Sequence, residues 1–251
     1  MVTDHKPFRT TRAIANLRQG RNDWYRIANA ATGPAQLHIY DEIGFFGVTA
    51  ADLVKDLAGI KGDLEVHMNC PGGDIFEANT IYNALRKRDG IVAVSIDGLA
   101  ASAASYIAQA ADPGHLTIAK NASMMIHDAF SMGIGNAGDL RELAGLLDEQ
   151  SDIIAECYAD RSGKPAAHWR DLMRAETWFS GGQKAVDAGL ADAVQGAEPA
   201  AAPVAATWDL SIFAKRPGEP PAAPAPAPAA GEPDFSWIDQ LDLTAFKEAT
   251  K

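Results

Sequence analysis

The chain has 251 residues and a formal net charge of −11 at pH 7, with 33 acidic against 22 basic residues. This acidity argues against nucleic acid as a partner, and the length allows one sizeable α/β domain with appendages. Two cysteines are too few for a disulfide framework, no apolar run is long enough to span a membrane, and the polar N-terminus has no signal core, so we expect neither secretion nor a membrane location.

The first part of the chain predicts a polar arm followed by alternating strands and helices. Residues 1–22 are rich in arginine and are expected to form a flexible basic arm. Thr49 is the expected N-cap of the first helix. Strands are expected at 23–28, 36–40 and 63–68, and helices at 49–60 and 74–88. The motif Asn69-Cys70-Pro71-Gly72-Gly73 then ends the third strand in a sharp turn.

The stretch from Gly98 to Ser105 consists mainly of glycine, alanine and serine and follows an apolar run at 91–96. This order predicts a strand, a tight turn and a helix that extends to Ala111. Ser102 is expected in the first turn of that helix, where unpaired backbone N–H groups and the positive end of the helix dipole favour a developing oxyanion. Ser102 is therefore a candidate nucleophile.

The rest of the domain continues the alternation. Short strands are expected at 116–119 and 123–126, and helices at 139–158, 166–175 and 182–188. The long helix carries an apolar stripe of six residues: Leu140, Leu143, Leu146, Leu147, Ile153 and Ile154. Strands that alternate with helices predict one α/β domain over residues 23–196.

The composition changes after this domain. Residues 197–233 are dominated by alanine and proline and are expected to form an extended, disordered linker, interrupted by the short apolar island Trp208–Phe213. Residues 234–251 predict a short amphipathic segment. A short apolar element on a long spacer is typical of a docking peptide or of the start of a fused region.

A serine nucleophile needs a base and a group that orients the base. His127, at the end of the short strand 123–126, is the candidate base, although a histidine at a strand end often has only a structural role. Glu176 is the first candidate for the acid because it enters the apolar segment Thr177–Ser180, where a carboxylate needs a partner. Asp171 is the reserve, and an ordinary ion pair is an equal alternative for Glu176.

Two backbone N–H groups are candidates for an oxyanion hole. The Gly72-Gly73 turn allows the backbone of Gly73 to approach closely, and the N–H of Ala103 lies just past the candidate nucleophile. The sequence has no phosphate-binding glycine pattern and no recognisable metal site. Covalent serine chemistry requires neither, so we expect no metal and no cofactor.

Together these motifs resemble the ClpP-type serine peptidases over residues 36–194. The similar motifs are 69–74, 98–102, 125–127, 176–180 and 189–192. Gly73 lies 29 residues before Ser102 and His127 lies 25 residues after it, as in that family. The residues at 97–102 and 176–178 are most similar to those of the ClpP-related head maturation (prohead) proteases of tailed bacteriophages.

The resemblance implies the ClpP/crotonase fold, a spiral of ββα units with a protruding handle helix that begins near Asp139. It implies that Ser102 is the nucleophile, that His127 is the general base, and that Gly73 and Ala103 form the oxyanion hole. The family triad usually ends in aspartate, whereas the matching position here is Glu176, with Asp171 in reserve. Glutamate is also able to orient an imidazole.

The resemblance also implies a biological role. We expect a serine endopeptidase of phage capsid maturation that cleaves scaffold and capsid segments, with its own tail as a further substrate. It would form ring-shaped homo-oligomers, act in the bacterial host cytoplasm within or on assembling proheads, and dock through residues 234–251. The alternatives are a degradative peptidase that works with an AAA+ unfoldase, and an inactive ClpP-like subunit that only assembles. A Ser/Lys dyad is less well supported, since Lys120 and Lys55 lie in no matching motif.

Overall fold

A computed structural model of the chain describes residues 24–28, 33–44, 49–131, 133–196, 210 and 213–215. The chain divides into two units, residues 1–217 and 218–251, and all of the second lies outside the described residues. The predicted arm at 1–22, most of the linker at 197–233 and the segment at 234–251 also lie outside them. The domain boundaries therefore stay predictions.

The described residues contain eight strands: β1 (Tyr25–Ala28), β2 (Ala35–Ile39), β3 (Leu64–Cys70), β4 (Val92–Ala101), β5 (Leu116–Ile118), β6 (Ser123–Ile126), β7 (Thr177–Ser180) and β8 (Ala193–Val194). They form one mixed sheet in the order β1-β2-β3-β4-β5-β8. Strand β6 pairs with the last part of β4, and β7 pairs with β6. Pairs β1–β2 and β6–β7 are antiparallel and the others are parallel.

Helices connect most of these strands, which confirms the predicted α/β class. They are α1 (Ala50–Ala58), α2 (Ile75–Arg86), α3 (Ala103–Ala108), α4 (Ala137–Ser162), α5 (Ala166–Arg174) and α6 (Gly182–Ala188). Thr49 caps α1 as predicted, and its side chain accepts the N–H of Asp52 in a capping box. Asp74 caps α2 in the same way, by accepting the N–H groups of Phe76 and Glu77.

The core lies where the sheet packs against these helices. Strand β3 buries every second residue from Leu64 to Cys70, as a strand with one face on a core should. Helix α2 buries Ala78, Ile81 and Leu85, whose spacing places them on one face of the helix. Burial of each large apolar side chain contributes about 1.5–3 kcal/mol of hydrophobic stabilisation. The described part of the chain contains no helix that is both long and apolar enough to cross a membrane.

The prediction around Gly98 is wrong in two respects. Gly98 to Ala101 do not form a turn, because β4 continues to Ala101 and its last three residues pair with β6 from Ser123 to Met125. The helix that follows ends at Ala108 rather than at Ala111. The small side chains of this stretch carry little strand propensity, so pairing with β6 decides the outcome.

The long helix also differs from its prediction. It extends from Ala137 to Ser162, with Asn136 as N-cap and the left-handed Gly163 as C-cap. Of its predicted apolar stripe only Ile154 is fully buried, whereas Leu140 and Ile153 are each 45% exposed. Helix α4 therefore presents apolar side chains to solvent.

Candidate active site

Ser102 lies between the end of β4 and the start of α3. It is the N-cap of α3 rather than a residue of its first turn, and its φ of 54° is uncommon for a non-glycine residue. Its N–H donates to the carbonyl of Met125 at 2.9 Å, which fixes this backbone to the last part of β6. Its side chain makes no capping bond to α3, so the hydroxyl group is available to a partner from another element.

That partner is His127, the residue that follows β6. The Oγ atom of Ser102 lies 2.7 Å from Nε2 of His127, which is hydrogen-bonding distance. The two residues meet because β6 pairs with the last three residues of β4, so both strands end at the same place. Ser102 and His127 thus form the contact that a serine nucleophile and its base require.

The imidazole of His127 is held in its neutral form. Burial lowers the pKa of His127 to about 4, because a desolvated imidazolium is unfavourable, and the charge of Glu176 opposes this effect only in part. Aromatic rings surround the imidazole, with the centroid of Phe130 at 5.3 Å and that of Phe213 at 5.5 Å. At neutral pH the ring is therefore ready to accept a proton.

The glycine turn lies directly against the nucleophile. A Cβ atom on Gly72 would lie 2.7 Å from Cβ of Ser102, and one on Gly73 would lie 2.1 Å from the carbonyl oxygen of Ile43. Only residues without a side chain allow this approach. Within the described residues, neither Gly73 nor Ala103 donates its N–H to an acceptor. These two N–H groups therefore stay the candidates for an oxyanion hole.

Ser105, one turn further along α3, has a structural role. Its Oγ donates to the carbonyl of Ser102 at 2.6 Å and lies 2.8 Å from the hydroxyl of Tyr158. The residue is completely buried. Ser105 supports the turn that carries Ser102 and provides a matched control for it.

The structure separates the two candidates for the acid. Glu176 precedes β7, and because Ile126 pairs with Thr177 in the antiparallel β6–β7 ladder, Glu176 lies across from His127. Asp171 lies on α5, where its carboxylate is 78% exposed and 3.2 Å from Arg174. Glu176 therefore lies near His127, whereas Asp171 lies on the surface.

The Glu176 carboxylate is nevertheless engaged elsewhere. It accepts the indole N–H of Trp178 at 3.2 Å, the backbone N–H of Ala214 at 2.6 Å and the backbone N–H of Lys215. Among the described residues, this carboxylate makes no hydrogen bond to the ring of His127. The residue also has a positive φ of 47°.

Sequence reasoning missed a supporting arginine. Arg170 is buried on α5, where it ion-pairs with Asp128, the residue after His127, and also contacts Asp148 at 3.1 Å and Asp152 at 2.8 Å of α4. The N–H of Ala129 donates to Oγ of Ser151, also on α4, at 2.9 Å. The signal was an arginine between Trp169 and Met173 on the buried face of a short helix.

The site combines a serine in a strained turn with a neutral histidine at the end of a strand of an α/β sheet. This combination is typical of a serine hydrolase. Comparison with known protein families identifies the class more narrowly. Residues 20–198 match the family model described as Clp protease. The chain therefore belongs to the Clp protease family and is a ClpP-type serine peptidase.

Several curated proteins are similar to this chain at modest identity. The ATP-dependent Clp protease proteolytic subunit of Deinococcus radiodurans is 27% identical over 148 residues, which cover 59% of this chain and 72% of that protein. Subunit 1 of Leifsonia xyli is 29% identical over 136 residues, or 54% and 68% of the two chains. The Ligilactobacillus salivarius subunit is 26% identical over 147 residues, or 59% and 74%.

Proposed function

We propose that this chain is an endopeptidase that cleaves through an acyl-enzyme formed on Ser102. The observation that carries the proposal is the 2.7 Å contact between Ser102 Oγ and His127 Nε2. Oγ attacks the carbonyl carbon of a peptide bond while Nε2 takes the hydroxyl proton. As the C–N bond breaks, His127 returns this proton to the leaving amine, which leaves an ester on Ser102.

Water completes the cycle. His127 removes a proton from a water molecule that attacks the ester carbonyl, and then donates this proton to Oγ as the product acid leaves. Both steps pass through a tetrahedral oxyanion, for which the N–H groups of Gly73 and Ala103 are the donors. Loss of one such donor typically lowers the rate by about 10²–10³-fold.

Glu176 is our candidate for the third member of the triad. Its position across the β6–β7 ladder from His127 supports this role. In the described arrangement its carboxylate instead binds backbone N–H groups near residue 214. The role therefore requires that those contacts be exchanged for the second ring nitrogen of His127.

The biological role that we propose is phage capsid maturation, with scaffold and capsid segments as substrates in assembling proheads inside a bacterial cell. Two features of the sequence support this role: the residues of the motifs at 97–102 and 176–178, and the Ala/Pro-rich extension after the domain. The exposed apolar side chains of α4, Leu140 and Ile153, support assembly with further copies of the chain. Residues 234–251 would then dock the protease to its substrates.

A degradative peptidase is the second candidate, since the similar curated proteins are named as proteolytic subunits of ATP-dependent Clp proteases. Co-expression separates the two. The capsid-maturation role predicts cleavage of scaffold or capsid proteins from neighbouring genes without an added ATPase. Cleavage of unfolded substrates only with an AAA+ unfoldase and ATP would support the alternative instead.

The chemistry itself is tested by labelling with a fluorophosphonate, followed by mass spectrometry of the modified peptide. We expect a single adduct on Ser102, no adduct in Ser102→Ala, and an adduct that is still on Ser102 in Ser105→Ala, at a lower rate because the turn loses a supporting hydrogen bond. A folded wild-type protein that is not modified at Ser102 would favour the inactive, assembly-only alternative.

A further inference from the structure

A short segment that follows the domain lies on the active site. We call Leu210 and Phe213–Lys215 the strap. Phe213 is only 3% exposed, and its ring meets that of His127 edge-on at 5.5 Å and that of Trp178 at 5.8 Å. It packs in a small apolar cluster with Leu99, Ala101 and Met125. An aromatic side chain of the strap thus fills the apolar space beside the catalytic base.

The backbone of the strap is held by Glu176. The carboxylate accepts the N–H of Ala214 at 2.6 Å and also that of Lys215. The Lys215 ammonium group in turn donates to the carbonyl of Ala175, so contacts run in both directions between the strap and the residues before β7. Hydrogen bonds to a carboxylate are stronger than those between neutral groups. The strap is therefore anchored by a buried ring and by charge-assisted bonds.

These contacts use the groups that catalysis needs. Phe213 covers one side of the His127 ring, and Ala214 and Lys215 occupy the carboxylate that would orient this ring. The strap and the active site belong to the same chain, so the strap competes as an intramolecular ligand, at an effective concentration on the order of millimolar. A substrate in solution must compete with that concentration.

We propose that the strap is an inhibitor built into the chain, which occupies the active site through Phe213 and withholds Glu176 from His127. This inference rests on the proposed peptidase function. It further assigns the cluster around Leu99 and Met125 as the site that takes a large apolar side chain, from the strap in the resting protein and from the substrate when the strap is displaced.

The strap cluster is separate from the main core. Leu99, Ala101, Met125 and Phe213 form a buried group of their own, apart from the core between sheet and helices. Truncation of Phe213 should therefore release the strap without unfolding the domain.

The test compares the full-length wild type with Phe213→Ala by the rate of fluorophosphonate labelling at Ser102. We expect labelling to become about tenfold faster or more, the size of effect seen when a buried aromatic anchor is truncated. Ala214→Pro, which removes a donor to Glu176 but keeps the ring, should also accelerate labelling. The control is Ile91→Ala, which truncates an exposed apolar residue at the other end of β4 and should leave the rate unchanged.

A peptide that spans residues 210–215 provides a second measurement. Added to Phe213→Ala, it should bind and slow labelling again, whereas the same peptide with alanine in place of phenylalanine should do neither. Equal labelling rates in wild type and Phe213→Ala, at unchanged thermal stability, would overturn the strap but not the peptidase. If no variant is labelled, the peptidase function fails, and binding of the peptide to Phe213→Ala alone then supports or overturns the strap site.

Discussion

Asp128, which follows His127, is ion-paired with Arg170, and the same guanidinium also binds Asp148 and Asp152 of α4. The strand end that carries His127 is thereby tied to the long helix. Ser151 adds a second tie, because its Oγ accepts the N–H of Ala129 at 2.9 Å. The position of the base thus depends on how α4 and α5 pack.

Arg170→Ala should therefore weaken both the fold and the site. Loss of the buried cation leaves three carboxylates close together, but two of these are largely exposed, so we expect destabilisation of about 2 kcal/mol in urea unfolding. Arg174→Ala is the matched control, since it removes an exposed pair with Asp171 and should change stability by less than about 0.5 kcal/mol. Arg170→Lys keeps the positive charge but loses the planar set of N–H donors. If this variant restores stability but not the labelling rate of Ser102, the guanidinium geometry positions the base. Equal stability of the two alanine variants would show that the ion pairs of Arg170 do not hold the end of β6 to α4.

Glu176 and Asp171 are best compared in a protein whose strap is already released. In the Phe213→Ala background, Glu176→Ala should lower peptide hydrolysis by about tenfold or more, because the imidazole loses its orienting carboxylate. Asp171→Ala in the same background should have little effect, since that carboxylate is exposed and bonded to Arg174. The opposite result would assign the acid to Asp171.

The pH dependence of labelling reports on His127. The base acts only when unprotonated, and burial lowers the pKa of His127 to about 4, so the rate should be constant near neutrality and fall as the pH drops through about 4. Glu176 is the charged group that faces the ring. With the strap released, the ring is better hydrated, and the half-point should move up towards the ordinary histidine value of about 6.5. A wild-type half-point already near 6.5 would show that the imidazole is not desolvated.

The same pKa shift has a consequence for stability. His127 has a lower pKa in the folded protein than in the unfolded chain, so the unfolded chain binds the extra proton first. Its contribution to stability is present above about pH 6.5 and is lost as the pH falls towards 4. His127→Gln should remove this part of the acid sensitivity of the urea midpoint.

Gly73→Ala should disable the site, because its Cβ would lie 2.1 Å from the carbonyl oxygen of Ile43 and the turn would have to move away from Ser102. We expect a fall in peptide hydrolysis of about 10²-fold or more, the effect of losing one oxyanion donor. Gly145→Ala on α4 is the control, since nothing lies within 4 Å of a Cβ there and alanine favours a helix by about 1 kcal/mol. Normal turnover by a folded Gly73→Ala protein would exclude its N–H as a donor.

Local patterns in the sequence were sufficient to predict most elements. The apolar spacing and caps of α1 and α2 lie within each segment, and the structure places both helices within two residues of their expected ends. The extension of β4 could not be found in this way, because Leu99 to Ala101 become a strand through pairing with β6 and, at Ala100, also with Cys70 of β3. The Ser102–His127 contact follows from the same pairing and was expected only through family spacing.

The docking position of the strap could not be predicted from the sequence. The apolar island at 208–213 is visible in the sequence, but its docking position depends on a cluster assembled from β4, β6 and β7. The hydrogen bonds of Glu176 depend on that docking in turn. Residue type and spacing identified the Glu176 carboxylate. Its hydrogen-bond partners depend on tertiary structure and could not be predicted.

The backbone of Ser102 has a measurable consequence for stability. At a φ of 54° any side chain is strained, and alanine keeps this strain whereas glycine removes it. Two catalytically dead proteins, Ser102→Ala and Ser102→Gly, should therefore differ, with the glycine form more resistant to urea by about 1 kcal/mol. The difference between their free energies of unfolding measures the backbone strain at Ser102. This strain is the cost of the turn that directs the hydroxyl group towards His127.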